Sequence, residues 1–518
     1  MMTNRDRFLL SVLFATLFIL VHGYQFNNGD QEEHLPYVYK LIDSNLYQND
    51  YLVPLQTSQF TVRFYFAYLI RAFAYLLPIP SAVFLIYFIC LGAIGWVVSE
   101  ISERISKNTL SGMIAPMLII LFNNFTVGGN SIIDVQLTCT VLAIALGAVA
   151  FSYFEKGKMV FASALCGLAS LFQLLIGLHL ILLLIISSFL IVNKNRWINS
   201  LKYFFIYLLF AGAMLIPMLY LQFGSMRELE SEKYFNILFY FRNSHHYYPF
   251  CFPGMDYFKT TFWWTLVFLC IRYSVKRHQL SNYSILMILT ATGCLLYFIG
   301  FTQLNLYPIG KLQGYKATIW PTLFGAIPVS IFLAEKVKLP SYQAYIVRWR
   351  IAISVSILCL FVLIFNSADL QFDKLKQRYK LGNYPQKDLE KMHYWISKNT
   401  PTNAIFLTLP EDDSFLCEAR RSTIVGYKGV IHQPDFMIPW YDKMKEVYGV
   451  ELSENKCRNL VDEAKSKYHQ RTDEAIQTHE KINFRIWDLN QIDSNHIQWN
   501  QLIHREGAIL LLNFSNKK

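Results

Sequence analysis

FLLSVLFATLFILVHGY (Phe8–Tyr24), followed at once by QFNNGDQEEHL (Gln25–Leu35), decides how the 518-residue chain is read. The first stretch is a 17-residue apolar run preceded by Arg5 and Arg7, so it is expected to insert with its N-terminus in the cytoplasm. No small-x-small cleavage site follows, which favours an uncleaved anchor over a signal peptide. The second stretch then places Asp30, Glu32, Glu33 and His34 a few residues beyond the membrane, on the outer face.

Composition carries the same message along the whole chain. It is 54% hydrophobic and 16% aromatic, and only 16% of it is charged, against about 25% in a soluble domain. Further apolar stretches fall at about 81–100, 109–125, 134–154, 159–173, 175–193, 201–222, 258–273, 282–301, 317–334 and 350–367. With the anchor they make about eleven spans. The net charge of +11 fits basic loops on the cytoplasmic side better than a nucleic-acid partner.

Counted alternately from the anchor, the loops with Arg104, Lys156, Lys194, Lys276 and Arg348 all fall inside, provided that residues 58–78 do not cross. That segment carries Arg63 and Arg71. An arginine at the membrane centre costs about 2.5–3.5 kcal/mol on insertion scales. A surface-lying amphipathic helix is therefore expected there. Residues 25–80, 223–257, 302–316 and everything after 367 then share the outer compartment.

The tail, 368–518, has ordinary polar composition and reads as a separate small α/β domain, with 1–367 as the membrane domain. A helix is expected to end near Lys398, followed by a strand over Ala404–Leu409 and a short helix near Phe415–Arg420. A strand over Thr423–Tyr427, a solvated helix over Lys456–Lys481 and a closing strand over Ala508–Leu512 complete it. A Cys417–Cys457 disulfide is open to the domain in an oxidising compartment.

Three polar clusters are candidates for chemistry. In the acidic loop a carboxylate can act as general base or hold a cation. The competing reading is a capping box, with Asp30 capping a helix to about Ile42 and Glu33 at its third position. Arg242, His245 and His246 form a second cluster, suited to a phosphate leaving group or simply to an interfacial aromatic belt. Lys311 and Lys316 stand outside against the positive-inside preference, which suggests an anionic lipid phosphate or snorkelling. Gln173 and His179 read as helix packing. P-loop, Rossmann, GxSxG and HExxH motifs do not occur.

With Gly29–His34, Leu46-Tyr47-x-x-Asp50 and Arg242–Tyr247 on the page, the chain resembles the GT-C superfamily of integral-membrane glycosyltransferases. It looks most like a group of bacterial GT-C-like membrane proteins. The resemblance implies inverting transfer of a sugar from a polyprenyl-phosphate donor to a glycan, lipid or protein acceptor, on the outer face of the inner (plasma) membrane. It implies Asp30 as general base, with Glu32 or Glu33 as alternates. His34, Asp50, Arg242, His245, His246, Lys311 and Lys316 would bind substrate or the lipid phosphate. No cofactor is required by the motifs, while a divalent cation (Mg or Mn) stays open, since some members use one. A lipid-linked glycan transporter, an O-antigen ligase or polymerase and a non-catalytic envelope scaffold are the alternatives.

Overall fold

The computed structural model describes residues 2–191, 195–223, 228–337, 378–452 and most of 456–514. The expected span at 350–367 lies outside them, as does much of the expected Lys456–Lys481 helix, of which Leu460–Tyr468 is described as helical. The chain divides into two compact units. One comprises Met1–Tyr24, Phe84–Ile216 and His245–Tyr379; the other comprises Gln25–Val83, Pro217–Ser244 and Lys380–Lys518.

The first unit is a helical bundle. Its first helix, Asn4–His22, starts from a true capping box, in which Thr3 Oγ1 accepts from Asp6 N at 3.1 Å and Asp6 returns the bond to Thr3 N. Among the described residues four helices are long and apolar enough to cross a membrane: Ile79–Ser106, Arg196–Leu221, Ser281–Gln303 and Tyr307–Lys336. Thr109–Phe122, Cys139–Glu155, Met159–Phe172 and Leu174–Leu190 are apolar but shorter. Each falls on an apolar stretch of the sequence, so the mostly helical architecture expected is present and is compatible with a multi-pass membrane protein.

Small residues set the spacing of these helices, as expected where packing rather than water exclusion joins them. A Cβ on Gly147 would stand 2.2 Å from the Trp320 ring, and one on Gly177 would stand 2.3 Å from the Cys166 carbonyl. Phe151 stacks on Phe324 with ring centroids 3.7 Å apart. His179 is buried and its Nε2 donates to the Leu312 carbonyl at 2.9 Å, a packing contact.

The second unit is mixed. Its five-stranded sheet runs in the order Ser422–Thr423, Ile405–Leu407, Phe484–Asp488, Ile509–Asn513, Leu502–Glu506. The first three strands are mutually parallel, and the last two pairings are antiparallel. Phe406 stands at the centre, opposite Thr423 on one side and Phe484 on the other. Helices Asp388–Asn399, Phe415–Glu418 and Pro434–Tyr448 belong to the same unit, with Met392, Ile396, Phe415, Met437 and Tyr448 buried.

Two expectations change here, and a third gains its bounds. The Thr423–Tyr427 strand is only Ser422–Thr423, because the chain then turns to offer the Gly426 and Gly429 carbonyls to Tyr51. The Cys417–Cys457 disulfide is not formed: Cys417 is a free buried thiol resting on the Gln31 and Glu32 carbonyls. The helix within 58–78 is Phe64–Ala74, whose 11 residues span about 16 Å at 1.5 Å per residue. That is about half of a hydrocarbon core.

Candidate functional site

The acidic loop becomes the helix Gln31–Ile42, and Gln31 to Tyr39 are all buried within the second unit. The capping box is absent. The Asp30 side chain makes no cap bond, and Glu33 turns instead to two arginines. Arg63, just before Phe64–Ala74, pairs with Glu33 Oε2 and donates to the Val430 carbonyl at 2.9 Å. Arg242 Nη2 lies 3.4 Å from Glu33 Oε1 and donates to the Lys428 carbonyl at 2.7 Å.

Arg242 owes its place to a π-helical turn, Ile237–Arg242, that seats Phe241 edge-on against Tyr441 and Trp440 of the helix Pro434–Tyr448. Such wide turns are frequent at functional sites. Tyr427 donates to the Phe241 carbonyl at 3.1 Å and places its ring under the Arg242 guanidinium.

Lys428 Nζ meets Glu32 Oε2 at 3.0 Å. Together with Glu33, Tyr51, Thr408, Asp412, Asp413, Leu416, Thr423, Gly426 and Gly429 they line a narrow cleft enclosing about 320 Å³, part of it open solvent. Burial pushes the Glu32 carboxyl up to about 8, Lys428 pulling against it and Asp413 and Asp412 adding to it. Burial likewise raises Asp413 to about 6, opposed by Lys428 and Arg242. Burial works against the Lys428 charge, but Glu32, Asp413 and Asp30 outweigh it and hold the ammonium above its ordinary range. Two neighbouring carboxyls whose proton affinities are driven apart, beside a fixed cation, are what an acid–base step requires.

The other expected residues separate. Asp30 is exposed at the head of the helix, close enough for its charge to act on Glu33 and Lys428. The expectation of exposed acids holds for it and fails for Glu32 and Glu33, because the helix that carries them is packed into the unit. His34 is buried against Phe66, and burial, reinforced by Arg63, takes its ring down to about 3. Burial thus favours the neutral ring, which is a poorer partner for phosphate than an imidazolium.

Asp50 has a structural task. Its Oδ1 accepts from Leu52 N and Val53 N at 2.9 and 3.0 Å, and its Oδ2 accepts from Thr423 N at 2.9 Å. His245, His246, Lys311 and Lys316 belong to the first unit. There His246 Nδ1 donates to the Gly128 carbonyl at 2.9 Å, and the His245 and His246 rings lie 4.0 Å apart. Lys311 and Lys316 are half-buried in the lead-in to Ile319–Lys336, and the Lys316 charge reaches His179.

Asp412, Asp413 and Lys428 were not among the sequence candidates. A signal existed: Pro410-Glu411-Asp412-Asp413 follows a strand and precedes a helix, as loop-borne site residues often do. Among the described residues no three His, Cys, Asp or Glu side chains converge to hold a metal ion. No step is routed through a divalent cation.

A family model described as "Domain of unknown function (DUF6798)" matches residues 387–447. No match was found among curated proteins. The matched stretch carries Thr408, Asp412, Asp413, Leu416, Thr423, Gly426, Lys428 and Gly429, eight of the eleven residues that line the cleft.

Proposed function

We propose that the chain is a multi-pass membrane glycosyltransferase of the GT-C type, transferring a sugar from a polyprenyl-phosphate donor to an acceptor hydroxyl on the outer face of the inner membrane. One observation supports this above the others: the loop after the anchor and the tail meet in one unit around a cleft lined by carboxyls and Lys428, with Arg242 bonded to the Lys428 carbonyl behind it. In this reading the N-terminus is cytoplasmic and the second unit is extracytoplasmic.

The acceptor oxygen attacks the anomeric carbon, the carbon–oxygen bond to phosphate breaks, and its electron pair leaves with the polyprenyl phosphate. Asp413 takes the hydroxyl proton, with Glu32 beside it as the alternate base. Lys428 and Arg242 face the charge that develops on the departing phosphate. Glu33 holds both arginines in place. Asp30, at the solvent edge, is the competing base.

Radiolabelled polyprenyl-phosphate sugars, tested for binding and turnover with wild type and Asp30→Asn, Glu32→Gln, Glu33→Gln and Asp413→Asn, decide the matter. The expected result is retained donor binding with transfer lowered by about 10²-fold or more in Asp413→Asn, the scale of a lost general base. The same pattern in Asp30→Asn alone moves the base to the solvent edge. If wild type neither binds nor consumes any such donor, the enzyme reading is wrong.

A further inference from the structure

The helix Asp388–Asn399 buries Met392, His393 and Ile396, and the His393 side chain is wholly shielded from solvent. A buried imidazole is ordinarily neutral, with one N–H and one lone pair. Both of its neighbours here are carboxyls. Nε2 lies 2.8 Å from Asp412 Oδ2 and Nδ1 lies 2.9 Å from Glu418 Oε2. Ionised carboxylates only accept, so both ring nitrogens must donate, and a ring that donates twice is an imidazolium.

The surroundings favour that charge. From the stretch at Lys380, Nζ donates to Glu418 Oε1 at 2.6 Å and pairs with Glu390 at 3.2 Å. From the turn before Phe415–Glu418, Ser414 Oγ lies 3.4 Å from both Asp412 and Glu418. Phe415 packs edge-on to the ring. Three carboxylates thus surround two cations. Burial works to lower His393, but Asp412 and Glu418 outweigh it and raise the ring to about 10. Glu418, despite its burial, is held below its ordinary range by His393 and Lys380.

Asp412 lines the cleft, and His393 is bonded to it without lining the cleft itself. We infer that His393 is a positioning residue: as a buried imidazolium bonded to Asp412 and Glu418, it pins the Asp412 side chain to the cleft wall beside the Glu32–Asp413 pair. The Asp412 charge raises the proton affinity of both members of that pair. The catalytic consequence rests on the transfer reading above; the charge state of the ring does not.

The test uses the full chain with its twelve histidines labelled at the ring nitrogens. At pH 8.5 one ring is expected to keep both nitrogens protonated, and its signal to vanish in His393→Gln. Asp412→Asn, nearly isosteric, is expected to bring that ring's midpoint down by more than one pH unit. No doubly protonated ring in wild type, or one unmoved by Asp412→Asn, overturns the inference, and neither result depends on His393→Gln folding. In the transfer assay, the acid limb of the pH profile is expected to move to lower pH in both variants. A lower rate with an unmoved limb means a merely structural role and also overturns it. If wild type transfers no sugar, the proposed enzyme falls and the ring signals alone decide this inference.

Discussion

Replacing Arg63 with Met removes one of two cations from a carboxylate that has almost no access to water. The Arg63 and Glu33 side chains are only 6% and 9% exposed. Breaking a buried pair by removing one partner typically costs about 3–5 kcal/mol, because the remaining charge is left uncompensated. Arg242, 3.4 Å from the other oxygen, keeps part of the compensation, so the lower end, about 3 kcal/mol, is expected. At about 2–4 °C per kcal/mol for 150–250 residues, that is a fall of roughly 6–12 °C in the unfolding midpoint.

The pH dependence has a definite sign. Burial raises Glu33 above its ordinary value even with Arg63 present. The folded state therefore binds the proton more tightly than the unfolded one, and stability falls as pH rises through the shifted range. Without Arg63 the shift grows, so the loss should be smaller at pH 5 than at pH 8. Unfolding of the full chain, followed by tryptophan fluorescence at both values, measures it. The double variant Arg63→Met, Glu33→Leu should recover most of the midpoint. A fall under about 2 °C at pH 8, or a double variant no better than the single one, would refute the buried-pair argument.

Asp50→Ala should destabilise by about 1–3 kcal/mol, the cost of stranding buried donors, while the folded fraction keeps any donor affinity; loss of binding in well-folded protein would restore Asp50 to the substrate. Tyr51→Phe removes two bonds to the Gly426 and Gly429 carbonyls and should expose the 426–429 turn to limited proteolysis at least several-fold faster. Cys417, whose thiol burial raises well above its ordinary range, should resist maleimide in native protein and react on unfolding; fast native labelling would contradict its placement.

Local features were readable from the sequence. The helices Gln31–Ile42 and Asp388–Asn399 and the strand Ile405–Leu407 fall where periodicity and flanking residues put them. The helix Pro434–Tyr448 was not among the expected elements, although Pro434 stands at its first position and Gly449 adopts the left-handed conformation after its end. The partners of the acidic loop were not readable. Glu33 finds Arg63 and Arg242, 30 and 209 residues away, and Glu32 finds Lys428 at a separation of 396. A capping box is a local pattern, and it lost to ion pairs that only the tertiary fold assembles. The strand Phe484–Asp488 escaped for a related reason: Arg485 inside it reads as exposed, yet is buried under Trp487 and Tyr468.

That separation of 396 residues also sets a timetable. At about 5–20 residues per second, ribosomes need roughly 20–80 s to travel from Glu32 to Lys428. Arg63 arrives within seconds and can neutralise Glu33 early. Glu32 must wait, and with it Cys417's seat on the acidic helix stays empty. A message broken before codon 428 therefore yields a chain in which Glu32, on the helix Gln31–Ile42, has no Lys428 to meet.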